Sequence, residues 1–292
     1  MNDYVIVVDL SANISTTFVE EHNLVFIPMN YSIGAEERIS ARMESDDVMK
    51  NFYDSQRKGI ETKTSQITPQ QYMEAFEPYL KDGKDVVYIC LSSGLSNTFN
   101  SVSLAARDLA EDYPNAKVYP VDTLAGTGCM GLLAEEAAYN REKGMSAEEN
   151  YNDLCKKVDL LCHVFMVDDL MYLHRGGRVP ASTAIMGTVL NIKPLLIVGE
   201  DGKLPMIDKK RGVKPAMNRM AEIYAKTRDE KMNRVYIVHA DALDRAEYLR
   251  DKVLEINPKA DVEVQMLCPV IGAHTGPGMA AILYFGDRHN LK

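Results

Sequence analysis

Three short stretches of this sequence carry groups able to bond a polar or anionic head. Thr64-Ser65-Gln66 stands just ahead of a helix signal. Ser92-Ser93-Gly94-Leu95-Ser96-Asn97-Thr98 follows the apolar run Val86–Leu91 and opens a second helix. Gly272-Ala273-His274-Thr275-Gly276-Pro277-Gly278 holds one imidazole between glycines. Backbone N–H groups at helix starts add partial positive charge to such a focus. A dianionic phosphate usually recruits Arg or Lys directly, and none lies within these turns, Lys63 being only adjacent. A carboxyl group suits hydroxyls and an imidazole better, because they bond it in either protonation state. Taken singly, each hydroxyl cluster is more often only a helix cap. The His-bearing segment reads as a stiff, tight loop, with no regular face on which a histidine would be buried.

Other chemistries compete for the same residues. Gly94-Leu95-Ser96-Asn97-Thr98 approaches the nucleophile elbow G-x-S-x-G at a strand-to-helix turn, with Asn97 where the last glycine belongs. A serine esterase on Ser96 would take His274 as base and Asp122 or Asp241 as acid. Gly126-Thr127-Gly128-Cys129-Met130-Gly131 matches G-x-G-x-x-G after a strand. A dinucleotide site also needs an acidic residue ending a second strand about 20 residues on. Here that region is the capping box Ser146-Ala147-Glu148-Glu149, so close helix packing is the better account. Asp9-Leu10-Ser11 lacks the second Asp of an aspartyl-phosphate site, and Asp9 is expected to cap the loop after it. No Walker string occurs.

The elements that must position these residues alternate. Tyr4–Asp9, Val86–Leu91 and Lys117–Val121 are short apolar runs of the kind buried on both faces, each followed by a helix pattern. Thr68-Pro69-Gln70-Gln71 carries a capping hydroxyl, an N1 proline and an N3 Gln, which starts a helix and leaves Thr64-Ser65-Gln66 in the preceding loop. Strand then helix, repeated, predicts a parallel sheet. The second half differs: Lys193–Val198 and Lys203–Asp208 flank Asp201-Gly202, a hairpin signal among helices, which predicts a mixed sheet. The expected architecture is α/β in two domains, a parallel one over residues 1–160 and a mixed one over 161–292.

Composition narrows the function classes. The chain has 292 residues and a formal net charge of −9, which argues against nucleic acid as a partner. Five scattered cysteines without a C-x-x-C pair indicate a reducing compartment and no zinc site. The start goes straight into an apolar strand, and no apolar run approaches the ~18 residues of a membrane span. A soluble cytoplasmic protein without metal or cofactor is expected. Lys209-Lys210-Arg211 with Lys214 is the one basic cluster, a solvated strand end or a dock for an anionic membrane surface. Sixteen methionines and no tryptophan suit irregular cores or varied apolar ligands; Met166, Met171, Met186 and Met279 are candidates to line a ligand tunnel.

Thr64-Ser65-Gln66, Ser92–Thr98, Val121-Asp122-Thr123, Arg175-Gly176-Gly177-Arg178 and Gly272–Gly278 stand in this order. Together they resemble the DegV family of bacterial fatty-acid-binding proteins, over essentially the whole chain. The resemblance implies two α/β domains with one long-chain fatty acid held between and within them. It implies a carrier, not a catalyst, which presents its fatty acid to a separate kinase that forms an acyl-phosphate for phospholipid synthesis. By motif, Thr64 and Ser96 would bond the carboxylate at the domain interface, Ser93 and His274 would complete that site, and Arg178 would serve kinase engagement or phosphoryl transfer. Asn97 stands for a usual Gly, and Leu10-Ser11 where the family more often has Asp-Ser; chain-length preference stays open. A buried acyl chain offers about 0.8 kcal/mol per CH₂, against about 1–3 kcal/mol per charge-assisted hydrogen bond. Affinity is thus expected in an apolar tunnel and orientation in the hydroxyls.

Overall fold

A computed structural model describes residues 3–186 and 191–291, without the side chains of Ile185 and Met186; the tunnel candidate Met186 thus lies outside the described side chains. The first part runs β1 (Tyr4–Asp9), α1 (Thr16–Glu21), β2 (Val25–Ile27), β3 (Met29–Ile33), β4 (Glu36–Ser40), α2 (Asp46–Arg57), β5 (Thr62–Ser65), α3 (Pro69–Lys81), β6 (Asp85–Cys90), α4 (Thr98–Asp112), β7 (Val118–Asp122), α5 (Gly128–Glu142) and α6 (Ala147–Val158). The second runs β8 (Leu161–Met166), α7 (Met171–Arg175), α8 (Ala181–Met186), β9 (Ile192–Ile197), β10 (Met206–Arg211), α9 (Val213–Thr227), β11 (Arg234–His239), α10 (Leu243–Ile256), β12 (Asp261–Met266), α11 (Pro269–Thr275) and β13 (Ala280–Phe285).

Two compact units divide the chain. The first comprises Met1–Asn30, Ile39–Met43 and Ser65–Val158; the second comprises Tyr31–Arg38, Glu44–Thr64 and Asp159–Lys292. This departs from one continuous N-terminal domain over 1–160. The segment around α2 contributes its buried stripe, Met49, Phe52, Tyr53 and Gln56, to the second unit. Nothing in the segment's own composition announces that exchange.

In the first unit, β2-β1-β6-β7 form a four-stranded sheet, parallel throughout. Val86–Cys90 are all fully buried, as a strand covered on both faces requires. Helix α3 packs on α4, and α5 on α6. The Thr68 capping box forms, as does its counterpart at Ser146, whose hydroxyl accepts from Glu149 N at 3.3 Å while the Glu149 carboxylate accepts from Ser146 N at 2.8 Å. The strand order reverses between β1 and β6. In open α/β sheets the crevice at the carboxyl ends of such a pair is the place for ligands. Asp9-Leu10-Ser11 and the Ser92–Thr98 turn occupy those two ends.

Asp9 is fully buried at its strand end. Its carboxylate accepts from Ser11 N at 2.8 Å and from the hydroxyls of Ser11 and Tyr88, and Tyr72 OH lies 2.8 Å from Tyr88 OH. The expected loop-capping role is thus realised. Burial raises the Asp9 pKa above the usual 3.8, against the pull of those hydrogen bonds.

The second unit is built on a six-stranded sheet, order β10-β9-β8-β13-β11-β12, antiparallel except for β11 with β12. Alternate residues of three strands (Cys162, Val164 and Met166; Val235 and Ile237; Ala280, Ile282 and Tyr284) form one core with α9 and α10 through Met217, Met220, Tyr224, Leu249 and Val253. Met166 is therefore core filling. The β9–β10 hairpin forms with Gly202 at φ +71°, a left-handed turn position open to glycine. Lys209, Lys210 and Arg211 of the basic cluster lie on β10, which ends the sheet among the described residues, and Lys214 lies on α9. Lys210 pairs with Asp208 at 2.8 Å, while Lys209 and Arg211 are exposed.

A pH-dependent stability follows from Asp9. The unfolded chain gives up this proton near 3.8 and the folded chain at higher pH. The group's contribution to stability therefore falls as pH rises from 3.8 to the folded value and is level above it. Asp9→Asn removes the titration. Urea midpoints should move in the variant's favour, relative to the native chain, across that window; parallel midpoints would contradict a raised Asp9 pKa.

Candidate functional site

The site in the second unit is assembled from α2, β5, α7 and α11. Helix α2 buries Met49, Phe52, Tyr53 and Gln56, an i, i+3, i+4, i+7 stripe. Thr64 lies in strand β5, not in a loop before α3 as its neighbours suggested; Thr62–Ser65 pair within the three-stranded sheet β4-β3-β5. The His-bearing segment is likewise not a loop. Pro269 starts α11 and His274 sits in its last turn, with Gly276 at φ +72° ending it and its N–H bonded to Gly272 O at 3.0 Å. An N1 proline and a glycine just past the end are the ordinary signature of a short helix, hidden here by the density of glycines.

Thr64 Oγ1 lies 2.9 Å from His274 Nε2. The opposite edge of the ring faces Gly176, where a Cβ would stand 2.6 Å from His274 Nδ1. The Gly-Gly turn after α7 is thus a seat for the imidazole. Arg178 bonds Gly176 O and, with burial, lowers the His274 pKa from 6.5 to about 4, burial being the larger cause. Burial also lowers the Arg178 pKa. His274 is therefore neutral at physiological pH and can donate or accept according to tautomer. Tyr172 rests against Gly276, its OH bonds Gln56 O at 3.2 Å, and the Arg175 guanidinium lies 4.6 Å from its ring centre.

These residues line a cavity of about 440 Å³, with Thr64, His274, Gln56, Tyr172, Arg175 and Arg178 in its wall. Of the residues singled out from sequence, Thr64, His274 and Arg178 are brought together here. Gln56 and Tyr172 were missed. The signal for Gln56 is a polar residue at the last place of an otherwise apolar helix stripe.

Ser93 and Ser96 belong to the first unit, in the turn between β6 and α4. Ser92 Oγ accepts from Gly94 N at 3.1 Å, Ser96 Oγ lies 2.7 Å from Thr98 Oγ1, and Asp122 accepts from Ser93 N and Leu124 N, both at 3.1 Å. The hydroxyls brace the turn itself, and Asn97 at the N-cap makes no side-chain cap bond. Ser93 is exposed and Ser96 half-buried. Gln66 is tied to Ser101 of α4 at 3.0 Å.

The esterase alternative finds no triad. Ser96 lacks the positive φ expected of a strained elbow. Asp122 is committed to two backbone N–H groups, and Asp241 to Arg57. The charge acting on His274 is a guanidinium, not a carboxylate. Among the described residues no cluster able to hold a metal ion occurs and no helix is long and apolar enough to cross a membrane.

A two-unit α/β protein, with a parallel sheet wound from a switch point and a mixed sheet beside a polar cavity, is what the fold and site define. A profile of the DegV family, described as uncharacterised proteins, matches residues 3–287. The chain belongs to the DegV family. A DegV domain-containing protein of Clostridium perfringens is 34% identical over 288 residues, 98% of this chain and 99% of that one. Among solved structures, a Thermotoga maritima protein described as revealing a fatty acid binding function aligns with a TM-score of 0.82 at 28% identity, covering 97% of this chain and 99% of that one. DegV of Bacillus subtilis, described as a fatty acid binding protein, aligns at 0.83 and 27%, with the same coverage. The Streptococcus pneumoniae fatty acid kinase B3 protein, loaded with linoleic acid, shares the fold at 0.81 and 19%, again over 97% and 99%.

Gly176→Ala tests the imidazole seat. The residue has φ −70°, so alanine brings no backbone strain. Its methyl should displace His274, moving the imidazole midpoint, followed by NMR, from about 4 toward 6.5. An unmoved midpoint would show that the ring is held elsewhere.

Proposed function

We propose that this protein binds one long-chain fatty acid and presents it to a separate kinase, which transfers the terminal phosphoryl group of ATP to the carboxylate oxygen, forming an acyl-phosphate and ADP. The observation that carries the reading is the Thr64–His274 pair, 2.9 Å apart on the wall of a polar cavity and neutral near pH 7. The neutral pair can bond a carboxyl head in either protonation state, and Lys63, Arg175 and Arg178 in the same wall supply positive charge for its ionised form. Support also comes from family membership and from the T. maritima and B. subtilis relatives, each described as binding fatty acid. Ser93 and Ser96 enter as further head-group donors by the family resemblance, and Arg178 as the residue of kinase engagement or phosphoryl transfer. The protein itself is then a carrier and needs no cofactor.

Solvent extraction of gently denatured protein should release stoichiometric fatty acid, identified by mass spectrometry; a protein purified empty that also fails to take up added fatty acid would refute the reading. Thr64→Ala with Ser96→Ala removes two neutral donors, at about 1 kcal/mol each. Its fatty-acid affinity should fall roughly tenfold to thirtyfold, and unchanged retention in the double variant would remove the head-group assignment.

Arg178→Ala should keep its lipid and slow kinase turnover. Loss of the lipid itself would show that Arg178 serves binding.

A further inference from the structure

Gln56 is buried, at 2% exposure, beside the cavity just described. Both hydrogens of its side-chain amide are committed. One goes to Thr62 Oγ1 at 2.9 Å, the other to Gly272 O at 3.0 Å. Thr62 stands two residues before Thr64 on β5, and Gly272 two residues before His274 on α11. The backbone carbonyl of Gln56 accepts from Tyr172 OH at 3.2 Å, and the Tyr172 ring occupies the space that a side chain at Gly276 would need. One residue of α2 thus touches the strand carrying the hydroxyl, the helix carrying the imidazole, and the aromatic that backs the end of that helix.

The amide is oriented by chemistry. Turned over, it would set its carbonyl oxygen against Gly272 O, acceptor to acceptor. In the orientation found, Oε1 is buried without a hydrogen-bond partner. Buried acceptors are nearly always satisfied, and leaving one bare is destabilising. Gln56 is thus a polar link in an otherwise apolar stripe, joining two elements through its amide hydrogens.

We infer that Gln56 is a positioning residue for the head-group pair, fixing the separation of Thr64 and His274 through its amide bonds to Thr62 and Gly272. The inference deepens the fatty-acid reading and, as far as lipid affinity goes, rests on it. Its geometric part does not.

The test uses the full chain with Gln56→Met, Thr62→Val and Tyr53→Phe. Tyr53→Phe is the control: it deletes the hydrogen bond to Leu267 O at 2.8 Å, another link from α2 to the segment of α11, and leaves the amide intact. Two quantities are read, the His274 midpoint by NMR and the fatty-acid dissociation constant. In Gln56→Met the midpoint should rise from about 4 toward 6.5 as the ring loosens into water. Fatty-acid affinity should fall roughly tenfold, with a smaller change of the same kind in Thr62→Val and neither change in Tyr53→Phe. A folded Gln56→Met with an unmoved midpoint overturns the inference. So does an equal shift in Tyr53→Phe, which would mean that any weakening of α11 suffices. Should Gln56→Met fail to fold, Thr62→Val decides by the same criteria. If the native protein takes up no fatty acid, the carrier reading falls, and the His274 midpoint alone still decides the role of Gln56.

Discussion

The hydrogen bond between Thr64 and His274 constrains everything around it. Its partners are 210 positions apart in sequence, and burial, with the Arg178 guanidinium beside it, keeps the imidazole neutral well below its free pKa of 6.5. Each neighbour is explained by that demand. Gly176 leaves room for the ring edge, Gly276 turns the chain two residues after it, and α2 brings the Gln56 amide to the helix that carries it. The strand position of Thr64 makes its hydroxyl direction a property of β5 and not of a mobile loop. Rigid elements define such directions better than loops do.

Neutrality has chemical content. Lys63, Arg175 and Arg178 already make the cavity wall cationic, and a protonated imidazole would add a further charge beside Arg178. The neutral ring bonds an acid head without committing to its charge. The charge acting on His274 is a guanidinium, which is not the carboxylate partner that a Ser-His-Asp arrangement gives its imidazole. The first unit contributes a turn whose hydroxyls hold one another, at the carboxyl end of a strand beside the switch point. Parallel α/β sheets offer polar groups there in any case.

Much of this was legible in the residues. The apolar runs, the capping boxes at Thr68 and Ser146, and the hairpin at Asp201-Gly202 gave the alternation of elements and the mixed second sheet. The strand Tyr4–Asp9 came out at its observed bounds, and the runs Val86–Leu91 and Lys117–Val121 each lie one residue from theirs. What failed did so for physical reasons. Gly272–Gly278 reads as a loop because three glycines outweigh an N1 proline, yet tertiary contact with Tyr53, whose phenol fills the space beside Gly272, favours the helix. Thr64-Ser65 reads as a loop because its pairing partners lie 30 residues earlier. The grouping of residues 44–64 with the second unit is set by long-range burial, which no local pattern encodes. Gln56 was hidden in an amphipathic helix, where a single polar residue on the apolar face is easily discounted.

The basic cluster on β10 has a consequence of its own. A terminal strand presents unpaired backbone groups to any passing chain, and lysine or arginine along it repels an identical strand from a second molecule. That repulsion works through solvent and fades within about 8 Å at physiological ionic strength, and within about 3 Å in molar salt. Concentrated salt would therefore weaken the guard that Lys209 and Arg211 keep over this border and leave its backbone groups open to another strand.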